Sequence, residues 1–511
     1  MNSNLAQTWY KNPFVFKHVA IIFIFGISAG VPLLLIFSSL GLWLREAGVN
    51  RATVTLFSWA ALAYSFKFIW APLVDKIPIP WLTKTLGRRR AWLLISQLCV
   101  ILAIFWLSSN NPALGSNLQL MALATVLLGF SSATQDIVID AYRIESAPPE
   151  MQAIMSSSYI AGYRIGMLLA GAGALYLASF LGSTSGNYNF QAWSNTYQVM
   201  ALVMLIGVIT TLLIKEPKVN RIDNFSYSAL DYLRLFLLFC LAISGLIVSY
   251  RLSLNPAYEL KIYLADLFHN KQISGFIVES FRLSFGLLAA IIIAFFGTKL
   301  GLAKQEMVVS SYLKPIKEFF SRYSIALALL VLLLIGMYRI SDIVLGVIAN
   351  IFYQDIGFSK VEIATIVKTF GLFMTIGGGF AGGVIVIKYG VMRTLFLGAV
   401  LTVITNLFFI ILANVGSNIT LLYLVISADN LTAGIATTAF IAFLSQLTNV
   451  KFTASQYAIF SSLMTLIPKL IGGYSGAIVN NIGYSNFFLF ASFLGLPIIF
   501  LVIIVRNKLR I

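Results

Sequence analysis

Ser131-Ser132-Ala133-Thr134-Gln135-Asp136-Ile137-Val138-Ile139-Asp140-Ala141-Tyr142-Arg143 closes a long apolar stretch that begins near Leu118. Asp136 and Asp140 are four residues apart, so on a helix they share a face. An ionised Asp at the centre of a membrane helix costs roughly 2.5–3.5 kcal/mol on insertion scales. Two on one face therefore need a polar cavity, partners or a proton. The reading splits the pair. Asp136, deeper in the stretch, is functional. Asp140, nearer the end and beside Arg143, braces a gate. The plainer alternative is that both only steady helix ends against nearby basic residues.

Working outward, the whole chain is apolar. It has 511 residues, 59% hydrophobic and 10% charged, with mean hydropathy +0.90. Soluble domains carry about 25% charged residues, so this composition predicts a polytopic membrane protein. Cys99 and Cys240 both fall in apolar stretches, which argues against a disulfide framework. The net charge of +17 could suggest nucleic acid. Here the basic residues gather in short loops between apolar runs, which is a topology signal instead. The first apolar run, about 16–44, is longer than a signal-peptide core and shows no clear cleavage site.

A spanning helix needs about 20 mostly apolar residues. About fourteen segments qualify: 16–44, 52–74, 91–109, 118–142, 152–181, 196–214, 231–250, 276–298, 323–348, 361–385, 391–413, 418–446, 454–480 and 485–505. With the N-terminus inside, the inner stretches hold most of the Lys and Arg, including Lys76, Lys84, Arg88, Arg89, Arg90, Lys215, Lys314, Lys317, Lys388 and Arg393. The outer loops hold Arg45, Arg51, Arg251, Lys261, Lys271 and Lys360. That bias puts both termini in the cytoplasm.

The chain also repeats. Arg45-Glu46-Ala47-Gly48-Val49-Asn50-Arg51 resembles Gln354-Asp355-Ile356-Gly357-Phe358-Ser359-Lys360: an acid, a Gly, then Asn or Ser placed to cap the next helix. Ala153-Ile154-Met155-Ser156-Ser157 resembles Ala458-Ile459-Phe460-Ser461-Ser462, and at that offset Arg164 matches Lys469. Both pairs recur at nearly one spacing, which predicts two six-helix halves in the same orientation. The expected fold is all-α, a major facilitator fold of two six-helix bundles with two extra transmembrane helices between them. The domains are 1–220, a linker 221–300 holding the extra pair, and 301–511.

Four basic residues, Lys67, Arg164, Arg339 and Lys368, and four acids, Asp136, Asp140, Asp342 and Asp429, lie inside spans. Eight such charges facing lipid would together cost tens of kcal/mol, about 3 each, so they must face a cavity or each other. Arg339 and Asp342, three apart, can pair on one helix, as can Glu279 and Arg282. Lys67 and Lys368 have no obvious partner on their own helices and are the better candidates for an anionic ligand. Asp75, with Arg88, Arg89 and Arg90 after it, can latch the inner face; the arginines also serve topology alone. Glycines such as Gly171, Gly173, Gly377–Gly379, Gly382–Gly383 and Gly472–Gly473 suit close helix packing. No metal spacing, nucleophile triad or phosphate-cradling loop appears, so neither an enzyme nor a cofactor is expected.

Stretches across both halves carry a family likeness: Phe66-Lys67-Phe68-Ile69-Trp70-Ala71-Pro72-Leu73-Val74-Asp75, Gly87-Arg88-Arg89-Arg90-Ala91-Trp92, Gln135-Asp136-Ile137-Val138-Ile139-Asp140-Ala141 and Gly162-Tyr163-Arg164-Ile165-Gly166 in the first, Tyr338-Arg339-Ile340-Ser341-Asp342, Lys368-Thr369-Phe370-Gly371 and Asp429-Asn430-Leu431 in the second. The chain resembles the AmpG-type muropeptide permeases of the major facilitator superfamily, over most of its length except about 220–300. It departs from that pattern in carrying Arg339 for Lys, Ser341 for Gly and Asp429 for Glu. Some members place their extra helix pair after the second half.

The resemblance implies a monomeric protein of the bacterial inner membrane. It implies proton symport of N-acetylglucosamine–anhydro-N-acetylmuramic acid peptides into the cytoplasm, for peptidoglycan recycling and, through it, beta-lactamase induction. Such a ligand carries carboxylates for Lys67, Arg164, Arg339 and Lys368, and sugar rings for Tyr64, Tyr163 and Tyr338. Gln135 and Asn430 complete the expected contacts. Asp136 is the first candidate proton carrier, with Asp429 and Asp342 as rivals. Asp75, Arg88–Arg90, Asp140 and Arg143 form the expected gate. The alternative within the superfamily is a carrier of another anion such as acetyl-CoA. A membrane-embedded enzyme would need an acid cluster in a sizeable polar loop, which the sequence lacks.

Overall fold

A computed structural model describes residues 13–49, 53–54, 57, 63–183, 187–217, 227–268, 271–359, 362–472 and 475–509. Twelve helices among them are long and apolar enough to cross a membrane. They match twelve of the expected spans. Of the other two, 52–74 lies partly outside the described residues. The second, 454–480, contains the helix Thr453–Gly472 and then residues 473–474, also outside them.

The chain forms two compact units. The first draws on Met1–Val74, Pro78–Asn220 and Tyr323–Ile511. Its first half contains α1 (Pro13–Leu34, continued by a π turn Leu35–Ser39 and Leu40–Glu46), α2 (Ala63–Phe66, a 3-10 turn Lys67–Ile69, then Ala71–Lys76), α3 (Arg88–Ser108), α4 (Leu118–Ser146), α5 (Gln152–Leu168, a π turn Leu169–Gly173, Ala174–Phe180) and α6 (Phe190–Val203, Leu205–Leu213). The extra region contributes α7 (Ala229–Leu252), α8 (Leu254–Phe268), α9 (Lys271–Lys299) and α10 (Lys314–Arg322). The second half contains α11 (Ile325–Met337 and Ile340–Asp355), α12 (a π turn Ile363–Phe370, then Gly371–Tyr389), α13 (Val391–Val415), α14 (Ile419–Leu447), α15 (Thr453–Gly472) and α16 (Ser475–Lys508, bent at Gly483).

The repeated acids do equivalent work. Glu46 accepts hydrogen bonds from Trp193 Nε1 and Ser183 Oγ, both at 2.7 Å. Asp355, its counterpart, accepts one from the Tyr484 hydroxyl. Each acid ties the end of the first helix of its half to the start of the last. Aromatic rings close both joints: Trp43 lies parallel to Trp193 at 5.9 Å, and Phe352 meets Phe488 edge-on at 4.8 Å. The expected cap at Ser359 is present, with Glu362 N–H donating to Ser359 Oγ at 3.2 Å and Ser359 N–H to Glu362 Oε2 at 2.7 Å. That reciprocal box holds the Glu362 carboxyl below the usual glutamate range. The matching Asn50 lies outside the described residues.

Helix approach in each half depends on glycines. A Cβ at Gly162 of α5 would collide with the Phe23 carbonyl of α1, and one at Gly30 with the Tyr163 carbonyl. In the second half, Gly378 of α12 meets the Leu431 carbonyl of α14 in the same way. Gly377, by contrast, faces nothing within 4 Å. Gly162→Ala should therefore force two backbones apart and cost about 1–3 kcal/mol. Thermal unfolding of the purified protein should show a clear drop for this variant and none for Gly377→Ala. Equal melting of the two would contradict the packing.

The second unit, Asp75–Ile77 with Arg221–Arg322, holds the extra helices. Arg282 pairs with Glu279 at 2.9 Å, donates to the Tyr250 carbonyl at 2.9 Å and stacks over the Tyr250 ring, so the expected local pair joins α9 to α7. Lys304 pairs with Asp231 at 2.8 Å. The connection read as an outer loop, 251–275, is largely helical, because α8 occupies Leu254–Phe268. Its Leu260, Tyr263 and Leu267 have helical spacing, which the apolar-run criterion passed over.

Candidate functional site

Three of the four expected site cations sit where a helix is interrupted. Lys67 is on the 3-10 turn of α2, Arg339 lies in the break between Met337 and Ile340 of α11, and Lys368 is on the eight-residue π turn that opens α12. Arg164 is on regular helix, one turn before the π turn of α5. Such interruptions free backbone groups and re-aim side chains, and they concentrate at functional sites and at discontinuous transporter helices.

Around α4 the structure gathers one cluster. Lys67 Nζ is 3.6 Å from Asp140 Oδ2, and Arg143 Nη2 is 3.5 Å from Asp140 Oδ1. Lys67 therefore has a counter-ion after all, supplied by another helix rather than its own. Asp136, a helical turn away, has no cation at ion-pair distance among the described residues. Its Oδ1 accepts the Tyr159 hydroxyl at 3.4 Å, and Tyr64 and Tyr163 lie within its electrostatic reach. Tyr64 shares a hydrogen bond of 2.5 Å with Ser132. Gln135 is fully buried, and neither atom of its amide has a partner among the described residues.

A second cluster draws on both halves. Arg164 of α5 lies within electrostatic reach of Arg339 and Asp342 of α11 and of Lys368 of α12. Arg339 Nε donates to Asp342 Oδ2 at 3.1 Å, so this expected local pair forms. Asp429 of α14 is within reach of Asp342. Among the described residues, neither Arg164 nor Lys368 has a carboxylate at ion-pair distance. Two other expected contacts are already engaged. Asn430 accepts from Thr375 Oγ1 at 2.9 Å, joining α14 to α12. Tyr338 donates to the Leu395 carbonyl at 2.9 Å and stacks on Phe440 at 4.6 Å.

At the arginine-bearing end, Arg89 forms a forked pair with Glu145 of α4, 2.6 Å at its shortest. Glu216 accepts the N–H groups of Arg89 and Arg90 at 2.9 and 3.1 Å, capping the start of α3. Arg90 donates to the Thr211 and Leu212 carbonyls of α6 at 3.0 and 2.7 Å. These contacts join helices of one half. Arg88 opens α3, and Asp75 lies in the last turn of α2, just past Val74, where the first unit's opening segment ends. Glu145 and Glu216 escaped the sequence reading, although an acid closing α4 and another just past α6 were visible signals.

Contact between the halves comes from Arg143 and its neighbours. Arg143 Nη1 donates to Ser445 Oγ of α14 at 3.0 Å, and to Gln152 and Ser156 of α5 at 3.1 and 3.0 Å. Its guanidinium lies 5.3 Å over the Tyr457 ring of α15. Ser157 Oγ donates to the Gly379 carbonyl of α12 at 2.9 Å. Lys469 Nζ donates to Ser65 Oγ at 3.3 Å. A continuous polar path thus runs from Lys67 through Asp140 and Arg143 to the second half.

Residues 18–348 match the Major Facilitator Superfamily. The chain is 30% identical over 490 residues to "Putative transporter AmpG 4" of Rickettsia conorii, covering 96% of this chain and 97% of the relative. It is 28% identical to "Putative transporter AmpG 1" of Rickettsia prowazekii, over 97% and 99% of the two chains. Among solved structures it resembles the proton:xylose symporter XylE bound to 6-bromo-6-deoxy-D-glucose, with TM-score 0.60 and 12% identity over 95% of this chain and 94% of that one. It also resembles the transporter FucP in the outward conformation, with TM-score 0.55 and 11% identity over 98% and 100%.

Proposed function

The chain belongs to the Major Facilitator Superfamily, alongside the AmpG-named transporters, and from that premise we propose that it imports anhydro-muropeptides by proton symport. The observation that carries this reading is that Arg164 from the first half lies within electrostatic reach of Lys368 from the second, neither, among the described residues, having a carboxylate at ion-pair distance. Like charges brought together inside a membrane protein are costly unless an anion joins them. A peptide carboxylate between the two would neutralise both and draw the halves together. Tyr64 and Tyr163 would face the sugar rings, as amphipathic side chains suited to one apolar face and one polar edge. Asp136 would carry the proton. A proton moving down about 100 mV supplies roughly 2.3 kcal/mol, about fifty-fold accumulation.

The accompanying topology is two six-helix halves, 1–220 and 301–511, with the extra pair in 221–300. We place the monomer in the inner membrane with both termini cytoplasmic. Uptake of radiolabelled anhydro-muropeptide into vesicles, with and without a proton gradient, tests the reading directly. Gradient-dependent uptake is expected; uptake indifferent to the gradient, or none above protein-free vesicles, would overturn it. Within that assay, Lys368→Ala should lose about 1.5–3 kcal/mol of substrate binding, roughly ten- to hundred-fold in affinity, at unchanged expression. Wild-type affinity in this variant would remove Lys368 from the site.

A further inference from the structure

We propose that α10, Lys314–Arg322, is a docking surface for anionic phospholipid, lying along the membrane face. One side of this helix is anchored: Pro315 and Phe319 are buried. The other carries an apolar strip. Leu313 is 57% exposed and Ile316 46% exposed, and Phe320, one turn further, is half-buried. These positions are three and four apart, so they line one face. An apolar strip of this kind is costly in water but suits the boundary between headgroups and acyl chains.

Beside the strip stand Lys314 and Lys317, both exposed. Among the described residues neither has an ion pair, whereas Arg322 is held by Glu318 at 2.9 Å. The two lysines are therefore available cations on the flank of an apolar face. The membrane boundary is close along the chain on both sides. The span Ile277–Lys299 ends shortly before it, and only Tyr323 and Ser324 separate Arg322 from the span that starts at Ile325. Ser324 caps that span, accepting from Leu327 N–H at 3.3 Å. Apolar side chains entering the acyl layer while lysines reach phosphate is the pattern of an interfacial helix. A second protein would not need this closeness to two spans. The inference does not depend on which solute the protein carries.

The test uses full-length protein with Cys99→Ala, Cys240→Ala and Leu313→Cys, the new thiol bearing a polarity-sensitive fluorophore. It is reconstituted into vesicles of phosphatidylcholine alone or mixed with phosphatidylglycerol, each with a fraction of brominated lipid as quencher. Quenching should rise when phosphatidylglycerol is present. Lys314→Gln with Lys317→Gln should return it to the phosphatidylcholine level, while Lys314→Arg with Lys317→Arg should keep it. Phosphatidylglycerol retained by the unlabelled protein in native mass spectrometry should fall about five-fold per lysine removed. Equal quenching in both vesicle types, or no effect of the glutamine pair, would overturn the proposal. So would quenching that changes with protein concentration rather than lipid charge, which would mark a second copy as the occupant.

Discussion

Asp136→Asn is expected to abolish gradient-driven accumulation while sparing substrate exchange. With a gradient of about 100 mV, accumulation should fall from roughly fifty-fold to near unity. The argument rests on the contrast with its neighbour. Asp140 is held between Lys67 at 3.6 Å and Arg143 at 3.5 Å, so its charge is already matched. Asp136 is buried, accepts the Tyr159 hydroxyl at 3.4 Å and has Lys67 within electrostatic reach, but has no cation at ion-pair distance among the described residues. A buried carboxylate without an ion partner leaves the proton as its neutraliser. Asn keeps the shape and the acceptor for Tyr159 but cannot release a proton, so it should bind and exchange substrate as the protonated form does. Exchange measured in the same vesicles separates this from misfolding. Asp140→Asn should instead disturb closure, since it releases two cations at once. If Asp136→Asn keeps full accumulation and Asp429→Asn loses it, the carrier is the carboxylate of α14.

The parts of this molecule that were legible in the sequence are those that depend on short range or on periodicity. Apolar runs of about 20 residues marked the spans because bilayer thickness imposes that length. Arg339–Asp342 and Glu279–Arg282 were legible because three residues along a helix place side chains together. Glu46 and Asp355 stood out as a repeat, and the structure gives them the same task. Lys67–Asp140 and Arg89–Glu145 were not legible, since each pair comes from helices distant in sequence. Two of the three helix interruptions were equally hidden. Those at Arg339 and Lys368 fall on neither Gly nor Pro, whereas the one at Lys67 did carry a local signal, since Pro72 has no N–H for the Phe68 carbonyl four residues back. Among the glycines, composition could not tell Gly378, pressed against a neighbouring backbone, from Gly377, which faces open space.

A disulfide between Ser157→Cys and Gly383→Cys is expected to arrest transport completely and reversibly. Ser157 belongs to α5 in the first half and Gly383 to α12 in the second. A Cβ built on Gly383 lies 3.6 Å from the Ser157 Cβ, inside the 3.5–4.5 Å range in which cysteine pairs bridge. The surrounding contacts hold the halves together at this end: Ser157 to the Gly379 carbonyl, and Arg143 to Ser445 with Tyr457 beneath it. Alternation between two facings requires these contacts to separate in each cycle. A covalent bridge here forbids that separation, whichever solute is carried. In a background with Cys99→Ala and Cys240→Ala, an oxidant should bring uptake to the level of protein-free vesicles, and a reductant should restore it. Each single cysteine variant should show uptake that responds to neither reagent, although a Cβ at Gly383 pushes the Ser157 hydroxyl aside. Full uptake by the oxidised, cross-linked pair would mean that the halves stay joined here throughout the cycle. The path from Lys67 through Asp140 to Arg143 would then brace a fixed scaffold, and the moving contact would have to lie elsewhere between the halves.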